Sequence, residues 1–235
     1  MNYLKTGKDG LNMKHFNSNK LCIVLTKFTG PDPTFHEMSE IAVIPIGNLV
    51  VDDTIVPFNV KINVNKKGKL TEQEYDECRK YGFDTFTSYE LFDNWYKKLG
   101  LKFNKRIMPI SYEWAIHRAY VANWLGYADH VPLYNDYFSH WYRDLMPIGL
   151  YWNDLAELNN EYIPFSVVRL KYLGNKLGVP LPRSSTLLDL AYYIAEIYEK
   201  ITSLVLPTGV DLPLRYPHPA VYRDNSEQWQ SESEE

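Results

Sequence analysis

The chain has 235 residues, 45% of them apolar and 23% charged, and one substantial α/β domain is the expectation at that length. Its net charge is −4, but five acids and no base fall between Asp224 and Glu235, which leaves 24 acids against 25 bases in residues 1–223. That near-neutral body excludes a global basic field of the kind that drives non-specific nucleic-acid binding. The local clusters Lys66-Lys67-Gly68-Lys69 and Lys97-Lys98 through Lys105-Arg106 read as solvated surface.

Residues 1–20 are polar and rich in Lys and Asn, an N-terminal extension without the apolar stretch of a signal peptide. No later segment approaches the length of a membrane span, so the expectation is a soluble cytoplasmic protein. Leu21-Cys22-Ile23-Val24-Leu25 is a continuous apolar run ending at Thr29-Gly30-Pro31-Asp32-Pro33, a buried strand leading into a turn, with Cys22 a buried thiol. Glu40–Ile46 reads as a second strand. Over 56–64 apolar side chains fall on the even positions Val56, Phe58, Val60, Ile62 and Val64, the pattern of a half-exposed strand.

Helical signals follow. Thr71-x-x-Glu74 and Thr87-x-x-Glu90 have the form of capping boxes, and Leu91, Phe92, Trp95 and Leu99 recur at helical spacing before Gly100. Arg106–Ile110 can form a further strand. Trp114, His117, Val121 and Trp124 mark a helix closing at Gly126, and later helices are expected over 145–158, 166–177 and 186–204. Residues 207–235 form a Pro-rich strap and an acidic tail, outside a domain that spans 21–206. The 19 Tyr and 6 Trp suit core packing first and a recognition surface second. With Cys22 and Cys78 alone there is neither a disulfide framework nor a cysteine zinc site, and no glycine-rich phosphate loop occurs.

Three blocks together carry a resemblance. Leu25-Thr26-Lys27-Phe28-Thr29-Gly30 with Glu40-Ile41-Ala42-Val43 is similar to the Asp-x-Glu-(Thr/Phe)-Thr-Gly and Glu-Ile-Ala-x-Val elements of DEDD-type 3′–5′ exonucleases. Pro109-Ile110-Ser111-Tyr112-Glu113-Trp114-Ala115-Ile116-His117 resembles that family's Pro-Leu-x-His-Asn-Trp-x-Phe-Asp. Ser185-Thr186-Leu187-Leu188-Asp189-Leu190-Ala191, continuing to Ala195-Glu196-Ile197-Tyr198, resembles His-x-Ala-Leu-x-Asp-Ala…Ala-Glu-Val-Tyr. The match runs from about residue 20 to 204, with bacteriophage exonucleases the nearest in kind. It implies an α/β, ribonuclease H-like mixed sheet flanked by helices.

The departures from the family pattern concern its chemistry. The first Asp falls on Leu25, the Glu on Lys27, the second Asp on His117, the general-base His on Ser185 and the last Asp on Leu190. Such enzymes hold two divalent ions roughly 3.5–4 Å apart, and hard cations require anionic oxygen ligands. Leucine supplies none, and lysine brings a repelling charge of about 4 kcal/mol per unit of ionic charge at 4 Å and an effective dielectric near 20. The resemblance therefore implies a degenerate site with no metal and no cofactor. Each replacement also has a plain structural role: Leu25 in a core, Lys27 in an ion pair with Asp189 or Glu113, His117 as a hydrogen-bonded core histidine, Ser185 as a helix cap. Asp189 lies one residue from the family's last Asp, and Leu187, Leu190, Ile194, Ile197 and Ile201 are expected to form the buried stripe of the final helix.

The leading expectation is a catalytically inactive binding or structural subunit working through a protein partner. A second is metal-independent binding of a single-stranded nucleic-acid end by Lys27 with Phe28 and Trp114 as stacking platforms. A third is a divergent exonuclease with ligands relocated among Asp32, Glu37, Glu113 and Asp189.

Overall fold

A computed structural model describes residues 19–101, 105–126, 134–158, 163–183 and 186–204. The strap and tail over 207–235, and nearly all of the N-terminal extension, lie outside the described residues.

Six strands make one sheet: β1 (Lys20–Phe28), β2 (Met38–Gly47), β3 (Val50–Val51), β4 (Phe58–Lys61), β5 (Ile107–Ser111) and β6 (Arg143–Asp144). Their order is β3-β2-β1-β5-β6, with β4 also paired to β2. β1 runs antiparallel to β2 and parallel to β5, which is itself parallel to β6. The helices are α1 (Glu72–Tyr81), α2 (Thr85–Lys98), α3 (Trp114–Gly126), α4 (Tyr134–Tyr137), α5 (Leu145–Leu158), α6 (Leu170–Lys176) and α7 (Leu187–Thr202).

The period-two alternation of β1 sorts its side chains onto two faces, and both are covered. Cys22 and Val24 join Ile41, Val43, Phe58 and Val60 in a cluster completed by α2, α3 and α4 through Phe92, Trp95, Trp114, Val121, Trp124 and Tyr137. Ile23 and Leu25 join Ala42, Ile44 and Ile110 in a second cluster closed by α7. A strand with both faces covered reads as an unbroken apolar run, which is what Leu21–Leu25 is.

The strand expected over 56–64 is shorter than its alternation. Phe58, Val60, Ile62 and Val64 are buried, but Val56 is 79% exposed, because pairing with β2 extends only from Val43↔Phe58 to Glu40↔Lys61. The Thr71/Glu74 capping box forms at α1. The second box does not: Asp84 caps α2 and accepts from Thr87 N, so the helix starts before Thr87. Asp is the better cap because its carboxylate meets both the free N–H groups and the positive end of the helix dipole. The helix expected over 166–177 is trimmed to Leu170–Lys176. In α7, Leu187, Ala191, Ile194, Ile197, Tyr198 and Ile201 are buried, whereas Leu190 is 36% exposed. Ala191 rather than Leu190 continues the stripe, one turn on from Leu187, and its small side chain lets the helix sit close to the sheet.

Two local conformations deserve the left-handed region. Asn48 (φ 52°) and Leu49 (φ 72°) make the two-residue hairpin between β2 and β3, and Leu49 is kept there by packing on the α7-side cluster. Glu113, with φ 60°, turns the chain from β5 into α3. The resembling family has Asn at this position, a residue that tolerates the conformation, while Glu does not. Replacing the exposed Glu113 by Asn is expected to stabilise the fold by about 0.5–1 kcal/mol. Urea unfolding of the E113N variant checks this, and an unchanged or lower midpoint would contradict it.

Candidate functional site

Three of the five positions matched to the family's motifs, Leu25, Lys27 and His117, lie at the C-terminal end of β1, where the strand leaves the apolar core. Leu25 is 2% exposed, opposite Ala42 in β2, and lies in the cluster with Ala191 and Ile194 of α7. A carboxylate here would be stripped of water with only hydrocarbon around it.

Lys27, two residues on, belongs to a row of charges. It is the register partner of Glu40 in β2, which is in turn the partner of Lys61 in β4, so the signs run plus, minus, plus across three strands. Opposite charges directly across a sheet are worth roughly 0.2–1 kcal/mol each. Glu40 is nearly buried, and desolvation raises its pKa, with Lys61, a hydrogen bond from Asn59 and Lys27 opposing the rise. α1 completes the row from outside. Lys27 Nζ donates to Glu74 Oε1 at 2.5 Å, and Lys61 pairs with Glu77. The Lys27 hydrogen bond is the main reason that the Glu74 pKa falls to about 2. The expected partners of Lys27, Asp189 and Glu113, are thus replaced by Glu74. Thr186 caps α7, its Oγ1 accepting from Asp189 N and donating to Asp189 Oδ2 at 2.5 Å, so Asp189 is engaged at the start of its own helix, and Glu113 is exposed at the mouth of α3. Glu74 was visible in the sequence only as half of a capping box; its reach to a lysine 47 residues away has no local signal.

His117 meets β1 between these two positions. Its Nδ1 accepts from Thr26 N at 3.1 Å and lies 2.9 Å from Thr26 Oγ1. An accepting Nδ1 requires the neutral ring with its proton on Nε2. Burial of the ring is the main cause of a pKa lowered to about 4, opposed by a backbone hydrogen bond at Tyr112 and by the Asp144 carboxylate. Asp144, in β6, receives Glu113 N (3.1 Å), Trp114 N (2.7 Å) and Met146 N (3.1 Å). It holds the first turn of α3, and through it the place of His117.

The stacking platforms proposed from sequence are occupied. Trp114 is 1% exposed, inside the core, which removes it as a platform for a base. Phe28 stacks on Tyr120 with centroids 4.4 Å apart and planes 3° from parallel, so one of its faces is covered. Leu190 lies off the buried stripe, and Ser185 is outside the described residues. The structure therefore places Leu25 and Lys27 on one face of β1 and His117 against the strand at Thr26, and it does not bring Leu190 into the α7 stripe.

The other acids have local duties. Asp32 accepts from Thr34 N and Oγ1, while Glu37 accepts from Asn65 N, Asn65 Nδ2 and Lys66 N. Among the described residues, no three His, Cys, Asp or Glu side chains come together in a way that could hold a metal ion. A hydrocarbon at 25, an ion-paired cation at 27 and a strand-bound imidazole at 117 do not fit a two-metal centre. The nearby pocket of about 450 Å³, lined by Phe35, His36, Ile62, Tyr120 and Trp124, includes none of these three.

No family model and no curated protein matches the chain. Solved structures do. The nuclease domain of 3′hExo, a DEDDh family member bound to rAMP, is similar with a TM-score of 0.58 and 16% identity over 85% of this chain and 97% of that one. The cell-death related nuclease 4 aligns with a TM-score of 0.57 and 16% identity over 78% of this chain and 64% of its own. The RNase domain of yeast Pop2 aligns with a TM-score of 0.53 and 15% identity over 80% of this chain and 79% of that one. E. coli exonuclease I aligns with a TM-score of 0.57 and 11% identity over 78% of this chain. The chain spans less than two thirds of two of these proteins, 64% of the nuclease 4 and 40% of exonuclease I. The chain has the ribonuclease H-like fold of these exonucleases, as a single mixed sheet flanked by helices.

The depressed His117 pKa has a thermodynamic consequence. The unfolded histidine takes up a proton near pH 6.5 and the folded one only near pH 4, so the unfolded state binds more protons in between, and stability is lost as pH falls through that window. His117→Gln, which can still accept from Thr26 N, is expected to flatten the loss, by about 2 kcal/mol between pH 7 and pH 5. Parallel unfolding curves for wild type and variant across that range measure it; an identical pH slope in the two proteins would contradict the assignment.

Proposed function

We propose that this chain is an exonuclease-fold protein that binds and does not cut, serving as a binding or structural subunit through a protein partner. The observation that carries the reading is the Lys27–Glu74 pair: where the family pattern has an anionic metal ligand, this chain has a cation already neutralised from within. Leu25 in the α7 cluster and the neutral His117 support it. The four acids that a relocated metal site would use are dispersed into loop and cap hydrogen bonds or exposed at the surface, which disfavours a divergent exonuclease.

Protein rather than nucleic acid is the favoured partner class because the body of the chain is near neutral. Metal-independent binding of a strand end is disfavoured by the same geometry, since Trp114 is buried, Phe28 is stacked and Lys27 is paired. No helix among the described residues is long and apolar enough to cross a membrane. The likeness to bacteriophage exonucleases extends the reading to a protein working in a host cytoplasm.

Incubation of the purified chain with a labelled single-stranded oligonucleotide and Mg²⁺ or Mn²⁺ is expected to give no degradation above a vector-only control. Degradation that persists through further purification and stops with EDTA would overturn the reading.

A further inference from the structure

α1 is attached to the rest of the molecule in an unusual way. Of its ten residues only Cys78 is buried, and its apolar support is a small satellite cluster of Val64, Leu70 and Cys78, with Tyr75 packed against it, apart from both main clusters. Charge does much of the remaining work. Glu72 pairs with Lys67, Glu74 with Lys27 and Glu77 with Lys61, so three glutamates of one helix engage three lysines of the sheet end and its adjoining loop. Besides the ion pairs, Tyr75 Oη donates to Asn65 O at 3.3 Å, Cys78 Sγ to Ser39 O at 3.6 Å, and the Arg79 guanidinium to the amide Oδ1 of Asn63 at 3.2 Å. At the C-terminal end, Gly82 lies so close to the backbone of Ile62 and Asn63 that an added Cβ would fall 2.7 Å from Asn63 N. That end is anchored, while the N-terminal two thirds rest on ion pairs whose side chains are a third or more exposed, apart from the slightly less exposed Lys27–Glu74 pair.

We propose that α1 is a detachable acidic cover over the end of β1, and that an acidic segment of a protein partner displaces it by competing for Lys27, Lys61 and Lys67. The partner class follows from complementarity: the groups these lysines already hold are peptide carboxylates on a helix, so a carboxylate-bearing peptide meets the same three cations in the same geometry. The partner half of the proposal rests on the reading of the chain as a protein-binding subunit; the cover itself does not.

The two cysteines make the motion readable. Cys78 is 4% exposed on the inner face of α1, against Val64 and Leu70, and Cys22 is fully enclosed in the sheet core, so a small disulfide reagent reaches Cys78 when the cover lifts and Cys22 only on global unfolding. With the full-length chain, the Cys78 reaction is expected to accelerate on the order of tenfold between about 0.01 M and 1 M NaCl, as the Debye length falls from roughly 30 Å to 3 Å and the three pairs are screened. Cys22 should stay silent, and Cys78→Ser should abolish the signal. Glu72→Gln with Glu74→Gln should make Cys78 reactive already at low salt; if that pair of changes exposes Cys22, the single Glu77→Gln serves instead.

At constant ionic strength, polyglutamate should accelerate the Cys78 reaction, and Lys27→Gln with Lys61→Gln should remove that effect. A Cys78 rate that is independent of salt, or that rises only together with Cys22, overturns the cover. An acceleration by oligothymidylate equal to that by polyglutamate overturns the partner class. The nuclease assay is separate: cleavage would sink the binding-subunit reading and leave the thiol result standing, and a silent Cys78 would do the reverse.

Discussion

β1 has a helix over each face, and keeping both faces dry constrains the rest of the molecule. α7 lies over Ile23 and Leu25, and α3 lies over Cys22 and Val24, so any residue along Cys22–Leu25 sees hydrocarbon on its own side and sheet on the other. Past Leu25 the strand turns polar, and partial exposure begins at Lys27. The polar features of the site follow from that boundary. Thr26 offers its N–H and hydroxyl to His117, Lys27 and Glu40 begin a row of alternating charges, and Gly30 O accepts from Tyr120. These groups take partners from other elements, which ties the transition from core to cleft together.

The same boundary explains why α3 is placed with such care. Its first turn has no side-chain cap of its own, and the carboxylate of Asp144, from the edge strand, takes Glu113 N and Trp114 N. The negative charge at a helix N-terminus is favourable by roughly 0.3–1 kcal/mol or more when partly shielded. Geometrically it pins the helix to the far side of the sheet, so that Trp114 enters the core and His117 reaches β1. The aromatic cluster beneath is dense: Phe92 alone meets Phe58, Trp95, Tyr96, Trp124, Tyr137 and Phe138 within 6.2 Å between centroids.

Much of this was legible in the sequence. Elements with strong periodicity or continuous apolar runs, such as 21–25, 114–124 and 145–158, appear where the pattern puts them, and three blocks in the right order pointed to the ribonuclease H-like sheet before any coordinates. What escaped had no local signature. β3 and β6 are two residues each and exist only because a neighbouring strand offers an edge. Leu190, three residues after Leu187, fitted the helical spacing of the stripe, but Ala191 at the equally helical i+4 position takes the seat, where smallness mattered more than apolar area. The site was legible as positions where the resembling family carries carboxylates and this chain carries other residues. Its present occupants were not: the Lys27–Glu74 contact spans 47 residues, Asp144 reaches 30 residues back to Trp114, and Trp114, an obvious candidate for recognition by residue type, turned out to be structural. Chemistry that depends on tertiary neighbours is invisible to residue type and spacing.

The burial of Leu25 bears on what mutation could do to this chain over generations. An aspartate at 25 would be desolvated, with Ala42, Ala191 and Ile194 around it, and an unpaired buried charge costs several kcal/mol. A glutamate at 27 would leave Glu74 facing a like charge, and one beside Glu40 as well. Neither change is of use without the other, since a metal centre needs both, and each alone is harmful. Single steps toward carboxylates at 25 and 27 lose stability before they gain ligands, so that route is closed by the packing itself, independent of any selection on activity.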